Sequence, residues 1–116
     1  MHDPQFADIY HADPGRIIGG DAHPNSIRPC AVVQPGPQLV KVVGRSASGA
    51  HEPPYTLRSA AEPSCGLNRP GVFDERHQHT LWRDDMTVTP YHQYKGPLPT
   101  DPARALQEFW DGLAYR

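Results

Sequence analysis

Arg28 opens the apolar run Pro29, Cys30, Ala31, Val32, Val33, while Ser46 and Ser48 close the run that begins at Leu39 and carries Val40, Val42 and Val43. A guanidinium presents several N–H donors in a fixed fork that suits phosphate oxygens, and a hydroxyl can add one more donor to the same group. If the second run is a strand, Ser46 and Ser48 share one face because side chains alternate with period two, and Arg45 points the other way. Arg45 is therefore given no catalytic part. The plain alternative is an exposed Arg28 whose stem packs on Pro29, with the serines as turn residues beside Gly44 and Gly49.

Histidines form the rival constellation. His77 and His79 alternate and His92 follows, so three imidazoles with Asp74 or Glu75 could hold a metal, although a lone His-x-His pair is a weak signal and no metal ligands are assigned. His51 or His79 could also act as acid or base, since an imidazole titrates near pH 6.5. Trp82, Tyr91 and Tyr94 could stack unpaired bases, whereas Trp110 fits a helical core stripe. Cys30 and Cys65 are too few for a cysteine-only zinc site and read as a buried strand thiol and a turn thiol.

The elements that must position these groups are short. Pro35, Gly36 and Pro37 break the two valine-rich runs apart, which reads as two paired strands with Arg28 and the serines at a shared end. Arg16 to Ile18 makes a brief strand stopped by Gly19 and Gly20, Tyr55 and Leu57 mark another, and Val72, Phe73, Leu81 and Trp82 mark more. At the end, Asp101 and Pro102 start a helix in which Leu106, Phe109, Trp110 and Leu113 recur with helical spacing. Residues 1–14 are polar apart from Phe6, Ile9 and Tyr10 and read as a loosely ordered arm, leaving 15–116 as one domain.

Composition sets limits. With 116 residues the chain is a single domain, and its 14 prolines and 10 glycines favour turns and short strands over helices. A net charge of -2 argues against a general nucleic-acid coat, but Arg16, Arg28, Lys41, Arg45, Arg58 and Arg69 crowd the first 70 residues. No apolar run reaches a membrane span and no signal peptide is recognisable, so the expectation is a cytoplasmic protein without a membrane contact.

The order of motifs resembles the MazF/PemK-type endoribonuclease toxins of bacterial toxin-antitoxin systems. The Arg28-Pro29 apolar strand, the valine-rich strand ending in Ser46 and Ser48, Cys65-Gly66-Leu67, and Gly96-Pro97-Leu98 before the last helix carry it. In that family a Gly-Asp-rich first strand precedes the Arg-Pro strand; Gly15 is followed here by Arg16 instead of an acid, and Asp21 is the nearest acid in the following loop. Ser46-Ala47-Ser48 replaces the family's Thr-Ser, with Ser48 aligned to its second hydroxyl. The resemblance implies an SH3-like small antiparallel β-barrel with a C-terminal helix. It further implies homodimers, a cognate antitoxin protein as partner, and metal-independent cleavage of single-stranded RNA with no cofactor. On that reading Arg28, Ser46 and Ser48 are catalytic, and Arg16, Lys41, Arg69 and Trp82 contact RNA. A small β-barrel that binds a nucleic-acid or peptide segment without cutting it is the non-enzymatic alternative.

Overall fold

The computed structural model describes residues 2–20, 28–46 and 55–113. Seven strands, β1 (Asp8–Ala12), β2 (Ile17–Ile18), β3 (Arg28–Gln34), β4 (Leu39–Ser46), β5 (Thr56–Ser59), β6 (Gly71–Trp82) and β7 (Gln93–Pro97), form one curled sheet. The hydrogen-bonded order is β2-β6-β4-β3-β1-β7, with β5 also paired to β6, and every pairing is antiparallel. A short helix α1 (Asp84–Thr87) follows β6, and α2 (Thr100–Leu113) ends the described chain. The architecture is the expected one: a mainly β, half-barrel sheet with a C-terminal helix, compatible with a small SH3-like barrel.

Both faces of the sheet are filled. Ile9, Ala31, Val33, Val43 and Phe73 face one cluster with Leu106 of α2, and Ala103, Phe109 and Trp110 of the same helix pack against it. Tyr10, Ala12, Cys30, Val32, Val40, Val42 and Leu81 face the other, closed by Ile17 and by Met86 of α1. Alternation along β3 and β4 thus sends successive side chains into different clusters instead of alternating core with solvent. Each fully buried aliphatic side chain contributes about 1.5–3 kcal/mol, so the two clusters carry most of the folding drive. Cys30 and Cys65 fall in different clusters and are both free thiols.

The paired strands read from the sequence are neighbours, with Cys30 opposite Gly44, Ala31 opposite Val43 and Val32 opposite Val42. The N-terminal segment differs from the expectation of a loosely ordered arm. Residues 8–12 form β1 between β3 and β7, because Ile9, Tyr10 and Ala12 are buried and need partners on both edges. Ala7, just before β1, holds φ +68°, a left-handed conformation that glycine adopts far more readily. The residues ahead of it fold back: His2 stacks on Tyr94 at 3.9 Å and its Nε2 lies 2.6 Å from the Asp8 carboxylate, which also accepts from the Gln5 N–H. Asp3 pairs with Arg83 at 2.9 Å.

β6 is one strand rather than two because a bulge absorbs its polar middle. Val43 pairs with Gln78 but Arg45 pairs with Phe73, so residues 74–77 stand against Gly44 alone. A Cβ on Gly44 would sit 3.2 Å from the His77 Cβ and carbonyl, so glycine lets the bulge close. Asp74 pins it by accepting from the Arg76 N–H and side chain, and that bonding holds its carboxyl below the usual range.

Arg45 staples the adjoining loops. Its buried guanidinium donates to the Ser59 hydroxyl and to the carbonyls of Ser59, Ala60 and Arg69, tying β4 to the chain that leaves β5 and enters β6. Gly71 makes room, since a Cβ there would meet the guanidinium at 2.9 Å and the Ser46 carbonyl at 2.6 Å. An ammonium cannot serve these acceptors from a fixed fork. Arg45→Lys should therefore lower the free energy of unfolding by about 3 kcal/mol, the scale of two charge-assisted hydrogen bonds. Urea unfolding followed by tryptophan fluorescence measures it, and a loss below about 0.5 kcal/mol would remove the staple role.

Candidate functional site

The chemistry-bearing groups gather where five strands end. Counting the β3–β4 register two residues beyond Cys30 and Gly44 brings Arg28 abreast of Ser46. Arg28 also pairs with Ala12 at the end of β1, and His11, one residue before it, pairs with Gln93 at the start of β7. On the other side Ser46 pairs with Val72 near the start of β6. The rim therefore runs from β6 through Ser46, Arg28 and Ala12 to Gln93, with neighbouring strands about 4.8 Å apart.

The residues singled out in the sequence divide into three groups. Arg28, by its backbone register, and Ser46 lie on this rim, and Arg69 joins them through its carbonyl, 2.7 Å from the Arg45 guanidinium beside Ser46. Ser48, Asp21 and His51 lie outside the described residues. Lys41 and Trp82 are brought together, since Lys41 pairs with Thr80 and Leu39 with Trp82, but at the far end of β4. Five residues separate Lys41 from Ser46, roughly 17 Å of strand, and the odd interval puts the two on opposite faces. Trp82 is half exposed there, beside an exposed Leu39. These two therefore do not share a surface with the arginine and serine. The conceivable metal site does not form either: His92 lies against Asp13 and Asp85, away from the β6 pair His77 and His79. No cluster of three His, Cys, Asp or Glu side chains among the described residues is placed to hold an ion.

Next to Arg28 the rim opens into a pocket of about 330 Å3, lined by His11, Ala12, Asp13, Pro14, Tyr91 and Gln93. Its size is at the lower end of ligand-binding cavities. The exposed Arg16 guanidinium carbon lies 3.6 Å from the centroid of the Tyr91 ring, a cation–π contact beside the pocket wall that Tyr91 forms. Asp13 caps the following 3-10 turn, with Oδ1 accepting from the Gly15 N–H at 2.9 Å. Burial and the nearby Lys95 lower the pKa of His11, so its imidazole is neutral at pH 7.

His92 supports this wall from inside. Its Nδ1 accepts from the Asp13 N–H at 3.0 Å, which places the proton of the neutral ring on Nε2. That Nε2 is buried and has no hydrogen-bond partner among the described residues. Nothing in the spacing of the sequence announces this pair, because Asp13 and His92 are 79 residues apart and only the β1–β7 register joins them.

Burial lowers the pKa of His92; Arg16 acts in the same direction, while Asp85 and Asp13 oppose it. An unfolded histidine titrates at about 6.5, so as pH falls below that value the unfolded chain takes up a proton that folded His92 resists. Stability from this group is complete above about pH 6.5 and declines as the solution acidifies toward the lowered folded value. The unfolding free energy should fall between about pH 7 and pH 5, and His92→Gln should flatten much of that fall, His11 supplying the rest. Equal slopes in the two proteins would exclude His92 as the titrating group.

The chain matches no protein-family model and none of the curated proteins.

Proposed function

We propose that the protein is a divergent MazF/PemK-type endoribonuclease that cuts single-stranded RNA without a metal. The observation that carries this reading is the adjacency of the Arg28 start of β3 and the Ser46 end of β4 on one rim. A second supports it. The family's first strand is Gly-Asp-rich with an acid after the glycine; β1 begins after Ala7, whose φ of +68° is glycine-like, and Asp8 follows at once. β1 rather than the segment at Gly15 is then the counterpart of that first strand, which removes one departure from the pattern.

In the proposed reaction the ribose 2'-hydroxyl gives up its proton and attacks the adjacent phosphorus, the bond from phosphorus to the 5'-oxygen breaks, and that oxygen leaves as a hydroxyl by taking up a proton, giving a cyclic phosphate. Charge builds on the phosphorane oxygens, and donors fixed in advance stabilise it most. Arg28 clamps those oxygens, Ser46 or Ser48 adds a hydrogen bond, and Arg69 lends positive charge at the same end of the sheet. Arg16 contacts RNA from the pocket wall. A second copy of the chain and an antitoxin protein are the partners this reading calls for, in a cytoplasmic setting. Among the described residues no helix is long and apolar enough to cross a membrane.

Purified protein should cut single-stranded RNA in excess EDTA and leave 2',3'-cyclic phosphate ends. Arg28→Ala should abolish cutting with little change in the unfolding midpoint. Ser46→Ala should slow it about ten- to hundredfold, the loss of one charge-assisted hydrogen bond of about 1.5–3 kcal/mol. RNA binding without cutting would favour the non-catalytic binding module, and cutting that requires added zinc or manganese would overturn the metal-independent reading.

A further inference from the structure

The pocket beside Arg28 has a chemistry of its own. Asp13 is an acceptor whose Oδ1 is held by the Gly15 N–H, while Oδ2 has no partner among the described residues. The Gln93 carboxamide, a donor and an acceptor side by side, is exposed at the β7 start with no side-chain bond among them. Neutral His11 offers one N–H and one bare nitrogen. Tyr91 supplies a flat wall, and Arg16, over that ring, places a cation beside it. A flat aromatic wall, an edge of mixed donors and acceptors and a neighbouring cation suit a nucleobase that carries a phosphate.

We propose that this pocket is a base subsite that holds one unstacked guanine of the RNA. A carboxylate oxygen accepts, so Asp13 selects a base that shows donors, and guanine alone presents two adjacent ones, N1–H and the N2 amino group. Its O6, next to them, takes the Gln93 amide N–H. The base lies against the face of Tyr91 opposite the one Arg16 covers, and Arg16 sits toward the phosphate. Arg28 is joined to this subsite by the Ala12–Arg28 pair, whose Cα atoms in an antiparallel ladder are about 5 Å apart, so a guanine held here sets which neighbouring phosphate reaches Arg28. His92, by accepting from the Asp13 N–H, is a positioning residue for the carboxylate.

The subsite rests on the endoribonuclease reading for its substrate, but it is tested by binding alone. The four ribonucleoside 5'-monophosphates are titrated into the full chain and followed by NMR shifts of the backbone amides. Guanosine monophosphate should bind at least tenfold more tightly than the other three, with shifts centred on His11, Asp13, Tyr91 and Gln93. Asp13→Asn keeps an oxygen to cap the Gly15 N–H but replaces the second acceptor with a donor, and it should bring the four nucleotides within about twofold of one another. Gln93→Leu, at an exposed position, should weaken guanosine monophosphate alone. Arg28→Ala should leave the base preference intact while it abolishes cutting. A wild-type protein that prefers guanine but never cuts RNA would sink the nuclease reading and keep the subsite. Cutting without a guanine preference, or equal binding of all four nucleotides, would sink the subsite and spare the nuclease.

Discussion

A sheet buried on both faces leaves its strand ends as the natural place for polar side chains to meet solvent and one another. That constraint organises the molecule. Ile9 and Val43 point toward α2 while Tyr10 and Val42 point toward Met86, so neither face of the central strands can host a site without opening a cluster. Three of the buried polar side chains are tied down where they lie, Asp8 by His2 and Gln5, Arg45 by three loop carbonyls and a hydroxyl, and Asp74 by Arg76, whereas His92 is held through Nδ1 alone. The pocket is found at the rim, between the ends of β1 and β7, where this rule says it should be.

Two arginines at one end of the sheet show how register decides fate. Arg45 and Arg28 both sit in valine-rich strands at the same end of the sheet. Arg45 shares its register with Phe73, a residue of the cluster under α2, and is drawn inward to serve backbone carbonyls. The ladder pairs Arg28 with Ala12, next to the pocket. A guanidinium surrounded by neutral acceptors, as Arg45 is, reinforces architecture.

Much of the fold was legible because the signals were local. Pro35, Gly36 and Pro37 between two β-branched runs announced β3 and β4, and the Leu106, Phe109, Trp110, Leu113 spacing announced α2. β1 was hidden because a strand buried on both faces shows no alternation, and Asp8 and His11 made it look like a polar arm. β7 was hidden by Gly96 at φ +123° and by Pro97, both of which read as loop. The adjacency of Arg28 and Ser46 followed from the hairpin, but the pocket did not, since Asp13 and Gln93 meet through strand order alone. Lys41 and Trp82 were legible as a cation and an aromatic; which end and face they occupy depends on a register that no short motif encodes.

The two cysteines turn the layered core into a pair of clocks. Burial pushes the Cys30 thiol up to about 12, and Cys65 is raised as well, so neither is a thiolate to any useful extent at neutral pH while the chain is closed. They lie in different clusters and neither is in a disulfide. An alkylating reagent reaches each sulfur only during an opening of its own side. The labelling rate at Cys65 therefore times excursions of the α2 side, and that at Cys30 times excursions on the Met86 side, so one molecule reports the kinetics of both halves of its interior.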